Sequence, residues 1–260
     1  MTPDLSLVPG SLTPDSRPAP RWRRVLSQAR FDATVWLANG EQLLLTLVLP
    51  ALVMVGLTRW LPLDLGPGAT IDVVTPGVLA LAVMSTAFTG QAIGTAFDRR
   101  QGALRLLSTT PLGPDGLALG RVLAVVVVEA VQAVVLGGLG LALGWRPDPV
   151  GCLVGAAVLV LGTAAFVALG LLLAGTLRSE AVLAAANLVW VLLLVGGGVV
   201  VPASRLGGFG PVAAALPSGA LGTAARTAFQ DGRLDLAAVG VLLVWTLLAL
   251  AALRRWFRWD

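Results

Sequence analysis

The sequence predicts an all-α polytopic membrane protein, with six transmembrane helices, an N-terminal interfacial helix, and short re-entrant external helices between spans five and six. Three observations point there. Hydrophobic residues make up 57% of the 260 and charged ones only 12%, against about half and a quarter in ordinary soluble domains. Six apolar stretches have roughly the 20 residues a helix needs to cross a hydrocarbon core about 30 Å thick. The arginines, which supply all 18 basic residues, gather in the segments on one side of those stretches.

Residues 1–20, MTPDLSLVPGSLTPDSRPAP, are rich in proline and small polar residues. They lack the basic segment and apolar core of a secretory signal, and are expected to form a disordered cytoplasmic tail. The rest, 21–260, reads as one transmembrane domain. Across 21–40, Trp22, Val25, Leu26, Ala29, Ala33, Trp36 and Leu37 recur at spacings of three and four, with Arg23, Arg24, Gln28 and Arg30 off that stripe. A basic helix with tryptophan on its apolar side suits the membrane interface. Phe31 breaks the pattern, and the alternative is a cytoplasmic extension of span one.

Spans are expected near 43–60, 73–96, 119–144, 150–177, 181–201 and 234–253. Pro50 reads as a kink in span one and Pro76 as a residue at the start of span two. An inside start leaves only Arg59, Arg146, Arg205, Arg226 and Arg233 outside, so both termini are expected in the cytoplasm. The single Cys152 reads as a small buried hydrophobe. The bias to arginine, alanine, glycine and leucine fits the codon usage of a GC-rich bacterial genome, and the expected location is the bacterial cell (inner) membrane. No basic patch is interleaved with stacking aromatics, so nucleic acid is not an expected partner.

Between spans two and three lies AFDRRQGALRLLSTTPLG, residues 96–113. Asp98 can cap a helix on which Ala103, Leu106 and Leu107 face one way while Gln101, Arg105 and Ser108 face the other. Pro111 disfavours helical geometry at Thr110, which ends the helix after about three turns. The alternative is a solvated loop with incidental charges.

Span two followed by FDRRQGALRLLSTTPLGPDGLALGR resembles the integral-membrane subunit of ABC-2 type exporters. So does GGGVVVPASRLGGFGPVAAALPSGALGTAARTAFQDG, residues 196–232: a glycine-rich end of span five, a proline, a Leu-Pro segment and an arginine-bearing helix before span six. The resemblance covers roughly 21–258. It implies a coupling helix that docks into a separate ATPase subunit, carried here by Asp98, Arg99, Arg100, Gly102, Arg105, Leu106, Thr110 and Pro111. It further implies a permease dimer, an amphiphilic substrate (drug-like, lipid or glycolipid), and an external gate around Gly197, Pro202 and Pro217.

The phosphate loop of an ATPase requires lysine, and the chain has none. Energy must therefore come from a partner, and no cofactor is expected. Glu129 and Gln132 share a face of span three, and Asn187 and Trp190 one of span five. An ionisable group at that depth lines a pathway or dimer contact, or packs as a hydrogen-bonded structural group, or lies nearer the interface. An intramembrane enzyme needs clustered His, Cys or carboxylates, which are absent. A proton-coupled secondary transporter built on Glu129 stays as the alternative, though no internal repeat supports it.

Overall fold

A computed structural model describes residues 18–60 and 69–257. The expected tail, apart from 18–20, and the loop after the first apolar helix lie outside them. Among the described residues there is no strand, and every regular element is a helix. Helix α1 is Arg21–Ala38 and α2 is Gly40–Arg59, with Pro50 inside it. Span two starts as α3, Thr70–Met84, passes through a π-helical turn at Ser85–Gly90, and continues as α4, Gln91–Arg100. A short α5, Ala103–Ser108, leads to α6, Gly113–Ala142. Then come α7 (Pro149–Thr176), α8 (Ser179–Gly196), α9 (Gly210–Ala215), α10 (Pro217–Asp231) and α11 (Leu236–Trp256).

Five of these helical stretches are long and apolar enough to cross a membrane, and Thr46–Arg59 of α2 is a shorter apolar one. The chain is a polytopic helical membrane protein. Local signals explain several ends. Asp148 caps α7 by accepting from the Gly151 amide at 2.7 Å, with Pro149 behind it at the first helical position. Asp235 caps α11 through Ala238 at 3.0 Å. Span five stops at Gly196, short of the expected 201, where three glycines meet a valine run. Pro76 lies one turn and more inside α3, not at its start.

Helix α7 is the hub, packed against α3, the π turn, α4, α6, α10 and α11. It can touch so many neighbours because glycines leave room: a methyl on Gly170 would strike the Phe88 carbonyl oxygen at 2.7 Å, and one on Gly162 would strike Leu221 at 2.5 Å. Cys152 is exposed on this helix rather than buried. Helix α8 is peripheral, with Leu183, Leu188, Leu192 and Val195 exposed. Helix α10 is the reverse. It buries most of its residues against α3, α7 and α11, so the segment between spans five and six folds back into the bundle.

Candidate functional site

At one end of the bundle α1 crosses α6, where Gly120 lets Gln28 and the Val25 carbonyl approach. The stripe of α1 is split by this contact. Val25, Ala29 and Ala33 are buried, but Trp22, Leu26 and Leu37 are exposed, and the acid Asp32 takes an inward place the spacing did not assign to it. Asp32 meets Arg121 of α6, with Arg121 Nε 3.3 Å from its Oδ2. Arg121 Nη2 also donates to Asp98 Oδ2 of α4. The Gln28 amide donates to Asp32 Oδ1 at 3.0 Å. Burial pushes the Asp32 carboxyl above its ordinary value, while the Arg121 charge and the Gln28 bond pull it back.

This triad corrects the expected role of Asp98. It does not cap a helix; it lies in the last turns of α4, which runs on to Arg100. Gly102, at φ +79°, makes the break, a conformation that disfavours any residue with a side chain. Helix α5 beyond it has only six residues, not three turns. Its inward residue is Leu104, fully buried, while Leu106, expected to share an apolar face with Ala103 and Leu107, is 73% exposed. Arg100, Arg105, Thr110 and Pro111 are exposed as well. Ser108, Thr109 and Thr110 each donate at 2.7 Å to the carbonyl three residues back, which satisfies the end of α5. The Pro111 carbonyl accepts from Arg24 of α1. Arg99 points elsewhere: its Nη1 donates to the carbonyls of Ala174 at 3.2 Å and Leu177 at 2.9 Å, at the C-terminal end of α7.

Deeper in the bundle the Thr163 hydroxyl of α7 donates to Glu129 Oε2, and Glu129 Oε1 has no hydrogen-bond partner among the described residues. Gln132 is paired with Thr86 of the π turn, its Nε2 donating at 3.1 Å. Both residues sit in intrachain helix contacts. Asn187 and Trp190 do not act as a pair. Asn187 is exposed and donates to Leu183 O of its own helix at 3.0 Å, whereas the Trp190 indole donates to Ser85 Oγ at 3.0 Å. The π turn is thus held from α6 and α8 at once, and Trp36 of α1 covers Gly90. Thr86 within the turn, and Gln91 and Thr95 in α4 beyond it, are all buried.

At the far end Gly197 closes α8, and its carbonyl accepts from Ser218 Oγ at 3.4 Å. The backbone of Pro202–Ala203 turns back beside Gly198, and Pro217 starts α10, buried. The structure therefore gathers the three residues expected at a gate. Arg226, left out of that expectation, is central to the knot. Buried, it donates to Val199 O at 2.9 Å and Gly198 O at 3.2 Å. No cluster of His, Cys, Asp or Glu able to hold a metal occurs among the described residues.

The bundle thus has one end folded back on itself and the other carrying a short exposed helix. The family model described as ABC-2 type transporter matches residues 22–229, from the start of α1 to near the end of α10. The chain belongs to this family and is a permease of ABC-type transport. No curated relative matches the sequence.

Proposed function

We propose that the chain is the membrane subunit of an ATP-driven exporter of amphiphiles and that α5 seats in a separate ATPase subunit. One observation supports this above others. Helix α5 buries Leu104 but turns Arg105 and Leu106 outward, and an exposed leucine beside an exposed arginine suits a partner's groove better than water. Only Gln101 and Gly102 separate α5 from span two, and Arg24 ties Pro111 to α1. A push on α5 therefore reaches span two and α1 together.

On this reading the α5 end is cytoplasmic, as are both termini, and the membrane is a bacterial inner membrane. A second copy of the permease completes the path, and the outward apolar face of α8 offers it a surface. The knot of Gly197, Pro202, Pro217 and Arg226 serves as the external gate. Glu129 and Gln132 join spans two, three and four instead of lining the path.

The test is co-purification from native membranes. Wild type should bring down a nucleotide-binding ATPase, and Arg105→Glu/Leu106→Glu should lose it at equal membrane insertion. Recovery of no ATPase in several mild detergents would overturn the reading and favour proton-coupled transport.

A further inference from the structure

Beside the triad, α1, α4 and α5 enclose a groove of about 710 Å³, within the range of sites for drug-sized ligands. Its walls are apolar and partly aromatic. Phe31 and Val35 of α1 face Ile93 and Phe97 of α4, and Phe31, Val35 and Phe97 are exposed at its mouth. Its floor is acidic. Asp32 and Asp98 share the single guanidinium of Arg121, which leaves one negative charge in surplus. Neither carboxylate is fully used. Arg121 takes Oδ2 of Asp98, whose side chain is 32% exposed to the groove, and Asp32 Oδ2, on a side chain only 5% exposed, has no hydrogen bond among the described residues.

We infer that this groove binds an amphiphilic monocation, with its cationic centre beside Asp98 and its hydrocarbon between Phe31 and Phe97. The surplus charge selects the sign of the ligand, and the two aromatic rings favour a cation with organic substituents over a hydrated metal ion. Gly94 sits on the wall, and a Cβ there would meet no heavy atom within 4 Å, so the groove keeps width at the level of the acids. A neutral or anionic amphiphile would fit the walls but not the floor. Calling the ligand a substrate rests on the exporter reading; its binding does not.

The test uses the full chain in nanodiscs, without nucleotide, and two probes of matched shape and opposite charge: tetraphenylphosphonium and tetraphenylborate. Saturable binding above that of empty nanodiscs is expected for the cation alone. Asp98→Asn should weaken it about tenfold; Arg121 keeps Asp32 as its partner in that variant. Gly94→Leu fills the groove from an open position and should abolish binding without lowering the unfolding temperature. Equal binding of both probes, or cation binding untouched by Gly94→Leu in a folded protein, would overturn the inference. Cation binding without a recoverable ATPase would sink the exporter reading and leave the site standing; the converse result would do the reverse.

Discussion

The Trp190 indole donates to the Ser85 hydroxyl at 3.0 Å, and this bond fastens the peripheral helix α8 to the π turn of span two. Trp190→Phe keeps an aromatic ring in part of the indole's place and removes the donor. It should cost about 1 kcal/mol, read as a modest fall in the unfolding midpoint in detergent. Trp190→Ala, which also removes packing, should cost several times more.

Arg99 and Leu106 should separate cleanly. Arg99→Ala leaves two carbonyls at the end of α7 without their guanidinium donor, so stability falls by about 1–3 kcal/mol. Leu106→Glu alters an exposed side chain and should leave stability within about 0.5 kcal/mol. Only the second should remove the ATPase from a stability-matched pull-down.

The triad carries an unequal load. Arg121→Gln leaves Asp32 buried without a counter-charge and should cost about 3–5 kcal/mol. Asp32→Asn should cost far less. Burial, the largest influence, holds the Asp32 proton more tightly in the folded than in the unfolded chain. That group therefore adds stability at pH below its unfolded value and loses it as pH rises through the folded value. The midpoint advantage of wild type over Asp32→Asn should accordingly widen on acidification.

Arg226→Met should loosen the far end, since two buried carbonyls lose a forked donor. Arg226→Lys should not restore it, because an ammonium cannot reproduce the planar two-nitrogen contact. Faster amide exchange at 197–203 is the readout, with exchange in α6 unchanged.

Glu129→Gln keeps an oxygen for the Thr163 hydroxyl and should preserve both folding and ATP-dependent transport. A carrier driven by protons through Glu129 would lose its pH-dependent uptake in that variant, so the same substitution separates the two mechanisms.

The helical class and the apolar segments were legible because length and composition decide them residue by residue. Helix α10 was announced by Pro217 and closed by Gly232, at φ +65°. What escaped depends on partners distant in the chain. Asp98 has the chemistry of a cap, yet Arg121, 23 residues on, draws it into span two. Asp32 is not part of the apolar stripe that the spacing defines, yet it turns inward because the same arginine lies opposite it. Leu104 and Leu106 differ in burial because residues two apart on a helix fall on opposite faces, and which of them turns inward depends on how α5 packs beyond the break at Gly102. Nothing in STAFTG marks a π turn; its benefit, the alignment of Thr86 with Gln132, exists only once α6 is in place.

Span two runs unbroken for 31 residues, Thr70–Arg100. At 1.5 Å per residue it is ~46 Å long, well beyond a hydrocarbon core of about 30 Å. Even at a tilt of about 20° it overshoots by roughly two to three helical turns. The surplus length therefore lies outside the oil, and because Asp98 and Arg99 pin the last turns of the span to α6 and to the end of α7, a displacement of those turns is handed to both neighbouring helices rather than absorbed locally.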